Sequence, residues 1–331
     1  MNKDARVFAF IQEKLRREEP VILLVVTSCR GSNPGRVGFK MAVDRLGNSV
    51  GSIGGGEMEF QLSEEAQKIA ERDGRDPVSR FLSHDERSPN SSGMICSGEQ
   101  SAILYPFRTD HLPIIDQCLS AIRDNIPILI ELDLDRARIS PISRKTSTPR
   151  FYWQYDDEDP HFWAYREWIG LHNRCFIIGG GHISLALSHV LSSLDFEISV
   201  FEQREGVPTF EKNPSADEKR IVSYDRVQEY LLDSNCHFVV IATHSHRTDE
   251  IVLQRLIEKK LRYLGMLGSR SKVKAIMNRL SDAGVSPELL ARVHAPIGIP
   301  IHSHTPEEIA ISIAAEMISV KNRSDQMDNF T

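Results

Sequence analysis

The chain has 331 residues, 40 of them basic and 46 acidic, for a net charge of −6 at neutral pH. That length suits two domains better than one core, and the mild acidity without a basic block argues against a nucleic-acid footprint. No run approaches the roughly 20 apolar residues needed to cross a bilayer, and the five scattered cysteines form no C-x-x-C pair, so a membrane span, a disulfide frame and a structural zinc site are all unexpected.

The residues after Met1 lead into an amphipathic helix over 5–17, with Val7, Phe8, Ile11 and Leu15 on one face, and not into an apolar signal segment. A cytoplasmic location is the expectation. The run 21–26 reads as a buried strand and 39–43 as a second, separated by a loop over 28–38 that holds three glycines and a proline. A glycine-rich turn over 48–56 precedes a helix from Glu57 to Arg72. Its N–H groups suit an anion, although Glu57 and Glu59 at the helix start oppose one. A polar loop, 83–98, leads to a strand over 100–105. A helix over 112–123 and a strand over 126–132 close this first α/β unit.

The polar loop carries Ser92-Gly-Met-Ile-Cys96-Ser-Gly98. Cys96, among small residues, reads as an inert thiol or as a nucleophile, sulfur carrier or soft-metal ligand. Residues 141–172 read as an aromatic connector holding all three tryptophans, Trp153, Trp163 and Trp168. Aromatics that dense need burial.

In the second half an apolar strand over 174–178 runs into Gly179-Gly-Gly181-His182-Ile-Ser184, then a helix over 182–193 and a strand over 197–202 that ends on an acid. This order is that of a phosphate-binding turn in a doubly wound domain. Gly179 allows the tight turn, Gly181 the approach of a phosphate, and Ser184 close helix–strand packing. Glu202, about 20 residues on, stands where a ribose-binding acid belongs, and Arg204 suits a 2′-phosphate. His182 either donates to a bound phosphate or caps its helix.

A short helix over 224–232, a strand over 237–243, a helix over 249–260 and a strand over 262–267 follow. At the end of the strand 237–243 stands His244-Ser-His246, with Asp249 beyond it. In an extended stretch both imidazoles face the same way, lining a ligand site or, with Asp249, holding a metal; otherwise they are structural. Gly268-Ser269-Arg270 and Lys272 form another strand-to-helix turn suited to phosphate or to a solvated helix start. A basic helix over 271–283 and a helix over 306–320, apolar on nearly every side and expected to be buried, complete the chain.

These pieces resemble the XdhC/CoxI family, accessory factors for xanthine dehydrogenase, carbon-monoxide dehydrogenase and related molybdenum enzymes. The likeness rests on Gly31-Ser-Asn-Pro34, Gly38-Phe-Lys-Met41, the run from Gly51 to Glu59, the Cys96 loop, Ile178-Gly-Gly-Gly-His182, Thr243-His-Ser-His246, the run from Tyr263 to Arg270, His294-Ala-Pro-Ile-Gly298 and the run from Thr305 to Ala310. It implies an N-terminal α/β XdhC domain over 1–140, a connector over 141–172 and a C-terminal Rossmann-like doubly wound parallel sheet over 173–322. It implies binding of the molybdenum cofactor (molybdopterin), help with its sulfuration by a cysteine desulfurase, and delivery to an apo molybdenum hydroxylase, by a homodimeric chaperone rather than a catalyst. In that reading Cys96 is a molybdenum ligand or sulfur relay. Gly179, Gly181, His182, Ser184, Glu202, Arg204, His244, His246, Gly268, Ser269 and Arg270 hold the cofactor. Two positions depart from the family pattern: Ser97 replaces a glycine after Cys96, and Glu57 stands where some members carry a second cysteine. An NAD(P)-dependent oxidoreductase and a nucleotide-binding regulatory module are the alternatives, and no hydride-transfer acid/base pair is evident for the former.

Overall fold

A computed structural model describes residues 3–31, 33–83, 98–142, 151–155, 162–170 and 172–327. Cys96 therefore lies outside the described residues. The chain divides into two compact units, Met1–Leu171 and His172–Thr331.

The first unit begins with α1 (Lys3–Arg16), β1 (Val21–Arg30), β2 (Lys40–Asp44), β3 (Ser49–Gly51), α2 (Gly56–Glu71), β4 (Val78–Ser83) and β5 (Glu99–Phe107). Its five strands form one antiparallel sheet in the order β3-β2-β1-β5-β4. Strand β1 is apolar at every position from Val21 to Val26 because both its faces are covered. Val21, Leu23 and Val25 enter one core with Phe8, Ile11 and Leu15 of α1, and Ile22, Leu24 and Val26 enter a second with Met58, Leu62 and Ala66 of α2.

The unit continues with α3 (Leu112–Asp124), β6 (Ile128–Asp133), β7 (Ala137–Pro141), β8 (Phe151–Tyr155) and β9 (Trp163–Ile169). These last strands form a separate antiparallel sheet, β7-β6-β9-β8. The described part of the expected connector is thus sheet: β8 and β9 pair from Phe151↔Glu167 to Tyr155↔Trp163. The aromatics are explained by this. Along β9 burial alternates, with Trp163, Tyr165 and Ile169 joining the core of α1 and α3, and Trp153 lies against Trp163 with ring centres 5.8 Å apart.

The second unit contains β10 (Arg174–Ile178), α4 (His182–Ser192), β11 (Glu197–Glu202), α5 (Pro208–Glu211), β12 (Glu218–Ile221), β13 (Ser234–Ile241), α6 (His246–Leu256), β14 (Leu261–Met266), α7 (Arg270–Asp282), α8 (Pro287–Ala291), β15 (Val293–His294) and α9 (Pro306–Met327). All pairings in its six-stranded sheet are parallel, in the order β12-β11-β10-β13-β14-β15. This is the doubly wound arrangement, whose order reverses at β10. Cys175 and Ile177 of β10 face Leu187 and Leu191 of α4 and the inner side of α9, while Phe176 and Ile178 face Val252, Leu253 and Ile276 of α6 and α7.

Helix α9 corrects the expectation of burial on nearly every side. Ala310, Ile313, Ala314 and Met317 are buried, but Ile311 is 54 % exposed. The helix covers one face of the sheet, so only one stripe of it is enclosed.

Candidate functional site

The C-terminal ends of β10, β11, β13 and β14 bring most of the expected residues to one edge of the parallel sheet. Gly179 follows β10 directly, donates its N–H to Phe201 O at 2.7 Å, and has φ +116. A Cβ there would lie 2.2 Å from Ala242 O, so the turn requires glycine for two reasons. Ser184 is buried and its hydroxyl donates to Gly179 O, stitching α4 to the turn. The hydroxyl of Thr209 donates to Gly180 O.

Gly181 differs from its neighbours. Its φ of −78 is ordinary, and a Cβ built on it meets nothing within 4 Å. The fold itself makes no demand for glycine here, and the space a side chain would fill is open. It lies at the N-cap of α4, where the first-turn N–H groups face an incoming anion. His182, the first residue of that helix, is exposed.

Glu202, at the end of β11, is turned into the same turn. It accepts the Gly180 N–H at 2.9 Å and a two-point contact from Arg204, whose Nε and Nη2 each lie at 3.1 Å. Burial pushes its pKa up, but the hydrogen bonds from Arg204 and from the N–H groups of Gly180, Arg204 and Gln203 prevail and hold it down at about 2. Tyr224, legible in the sequence only as a helix start, supports the group: its hydroxyl lies 3.3 Å from Glu202 Oε1.

On the other flank of β10, Ala242 donates to Ile178 O, which sets the loop 243–246 beside the glycine turn. The histidines are not arranged on one extended stretch. Helix α6 begins at His246 because Ser245 caps it, accepting the Thr248 N–H at 3.2 Å, so the two imidazoles leave from different backbone conformations. Both side chains are exposed. Asp249 points inward, where its carboxylate accepts the N–H and hydroxyl of Thr243 and pairs with Lys272. Among the described residues no group of three or more His, Cys, Asp or Glu side chains is placed to hold a metal ion. Lys272 is therefore a lock between α6 and α7 and not a second solvent-facing cation. Arg270 is exposed, and Ser269 caps α7. His246, Ser269 and Lys272 share the wall of a shallow open depression of about 340 Å³.

In the first unit the glycine turn 54–56 has φ from +73 to +135, and the N–H groups of Ile53 and Gly55 converge on one point at the start of α2. A carboxylate of the chain already sits there. Glu59 Oε2 accepts from Ser52 Oγ at 2.7 Å, Ile53 N at 2.8 Å and Gly55 N at 2.9 Å. Burial raises its pKa, and these bonds outweigh it and lower the value. Loop 33–38 adjoins this turn: a Cβ on Gly35 would lie 2.5 Å from Ile53 O. Asn33 fastens the loop to Arg30 O and Glu99 O, three residues after Cys96 in the chain. Cys29, partly buried at the end of β1, has its thiol pushed up to about 11 by burial, against the opposing pull of Arg36. Cys118 and Cys175 are fully buried, and burial raises both far above the thiol range.

Residues 175–317 match the XdhC Rossmann domain, and residues 14–81 match the XdhC and CoxI family. A Bacillus subtilis (strain 168) protein described as a probable component of xanthine dehydrogenase is 22% identical over 93% of this chain and 96% of its own length. The "Molybdenum cofactor insertion chaperone PaoD" of Escherichia coli (strain K12) is 22% identical over 97% of this chain and 89% of its own. "Uncharacterized protein YqeB" of the same organism is 37% identical over 156 residues, and the match spans only 28% of that longer protein. A crystal structure described as a xanthine dehydrogenase from Bacillus halodurans superimposes with a TM-score of 0.73 at 23% identity, over 96% of both chains. It supports the fold alone. Two domain matches in the expected order, with relatives aligned along nearly the whole length, place the chain: it belongs to the XdhC and CoxI family.

Proposed function

We propose that this protein is an accessory factor that carries the molybdenum cofactor as cargo to an apo molybdenum hydroxylase of the xanthine dehydrogenase type. The observation that carries the reading is Gly181. It is a glycine that no backbone strain or close neighbour requires, beside a helix start, with the space of a side chain left free for a phosphate. The cofactor ends in a phosphate, and the PaoD relative is named as a chaperone for it. Gly181, His182 and the first N–H groups of α4 hold that phosphate, with Arg270, His244 and His246 along the same sheet edge. The bound group supplies the metal and sulfur chemistry; the chain supplies binding and orientation. Cys96, outside the described residues, is proposed as the ligand or sulfur relay near molybdenum. A cysteine desulfurase and a second copy of the chain are its proposed partners in the cytoplasm.

Native mass spectrometry of protein purified from a host that makes the cofactor tests this. The expected result is a bound pterin, retained less well by Cys96→Ala. No bound pterin in the unaltered protein, whatever else it carries, would overturn it.

A further inference from the structure

Glu202 occupies the position from which a dinucleotide-binding fold offers a carboxylate to the ribose hydroxyls. Here that carboxylate is already fully engaged. Its Oε1 accepts the N–H groups of Gln203 at 2.8 Å and Arg204 at 3.0 Å, Arg204 Nε at 3.1 Å and the Tyr224 hydroxyl at 3.3 Å. Its Oε2 accepts Gly180 N–H at 2.9 Å and Arg204 Nη2 at 3.1 Å. A carboxylate has about four lone-pair sites, fewer than the donors that converge on this one. The side chain is 1% exposed. A ribose diol could reach it only by displacing the guanidinium from a two-point ion pair, and would return hydrogen bonds from two uncharged hydroxyls for it.

Arg204 is placed the opposite way. Its side chain is 45% exposed, and among the described residues its Nη1 makes no hydrogen bond. Because Nη2 and the Gly180 N–H meet on the same carboxylate oxygen, the guanidinium stands two hydrogen bonds from the glycine turn. Glu202 fixes its orientation, and at Gly181, the residue after Gly180 in that turn, the space of a side chain is open.

We infer that Arg204, held by Glu202, is the specificity residue of this unit, and that it selects a ligand bearing a phosphate monoester beside the glycine turn over one bearing a free ribose diol. The inference rests on the phosphate reading of that turn. It assigns Glu202 a positioning role: the acid aims the cation and does not meet the ligand.

NAD⁺ and NADP⁺ differ only in a 2′-phosphate monoester and so probe the choice directly. Calorimetry on protein from a host that lacks the pterin cofactor should show NADP⁺ binding more tightly than NAD⁺ by about tenfold or more, the worth of one hydrogen bond between charged groups. Arg204→Ala should abolish the difference, Arg204→Lys should keep part of it, and Glu202→Gln should reduce it by loosening the guanidinium. Equal or tighter binding of NAD⁺, no detectable binding of NADP⁺ at millimolar concentration, or a preference that survives Arg204→Ala would each overturn the inference. Its fate separates from that of the carrier role. Pterin retained equally by the parent and Arg204→Ala would end the inference and leave the carrier role standing. A phosphate preference in a protein that never retains pterin would do the reverse.

Discussion

Glu59 Oε2 accepts the backbone N–H of Gly55 at 2.9 Å, so a glycine turn shaped to hold an anion is closed by a carboxylate one helical turn further along the chain. The same oxygen takes the Ile53 N–H and the Ser52 hydroxyl. Sequence logic set Glu59 against an anion at this turn; the geometry makes Glu59 that anion. Replacing it by alanine should lower stability by about 1–2 kcal/mol, because partly buried N–H groups lose a charged acceptor. Glu59→Gln should lose less. Urea denaturation should show the midpoint falling at constant slope, and an unchanged midpoint for Glu59→Ala would mean water replaces the carboxylate fully.

Gly179 and Gly181 should respond oppositely to alanine. Gly179→Ala forces a side chain into a left-handed backbone and against Ala242 O, and should destabilise by several kcal/mol or prevent folding. Gly181→Ala meets no atom and should leave the melting temperature within a few degrees, while weakening retention of a phosphate ligand. Equal destabilisation by both would show that the open space at Gly181 is not real in solution.

Acid should weaken the second unit partly through Glu202. Its folded pKa, about 2, lies below the usual carboxylate value near 4.3. A depressed carboxylate stabilises fully above its unfolded pKa and loses that contribution as pH falls towards the folded one. The stability gap between the parent and Glu202→Gln should therefore be constant near neutrality and narrow below about pH 4.3. Urea midpoints measured across that range decide it, and a gap unchanged down to pH 3 counts against the assignment.

The lock between Asp249 and Lys272 should behave as a buried pair. Asp249 is 1% exposed and Lys272 13%, so Lys272→Met strands a carboxylate and should cost about 3–5 kcal/mol. Adding Asp249→Asn to that variant should restore part of the loss, since the stranded charge goes. A double variant as unstable as the sum of the singles would show that the two side chains are not coupled.

The second unit was largely legible in the sequence because four of its parallel strands, β10, β11, β13 and β14, hold apolar runs followed by a glycine or serine turn and a helix. β10, β11 and the turn at 179–184 carry that signal locally. β12 and β15 carry none: Glu218-Lys-Arg-Ile221 is polar, and Val293-His294 is two residues long. Their place is set by the neighbours β11 and β14. In the first unit β1 was evident from its unbroken apolar run, but β8 and β9 were not separable from a linker. In β8 three aromatics stand in a row, Phe151 to Trp153, so no period of two marks a strand there, and only pairing across the sheet shows which residues of β8 and β9 are buried. Glu202 and Asp249 show the same limit at the site. Residue type and spacing bring an acid to the sheet edge, but whether it faces a ligand or the protein depends on Arg204, Tyr224 and Lys272, distant or ambiguous in sequence.

The pairing of β1 with β5 bears on how the chain is made. Val21 meets Phe107 across that ladder, so the central strand of the first sheet must wait for a partner more than 80 residues later. Until Phe107 has left the ribosome, β1 has only β2 beside it and an apolar edge exposed. The second unit poses no such delay to the first, since every strand of both antiparallel sheets precedes residue 170. At a synthesis rate of about 5–20 residues per second, the first unit has on the order of ten seconds to close before the last helix of the second is complete. Slow codons or a holding chaperone acting between residues 30 and 107 would bear on yield far more than the same delay placed after 170.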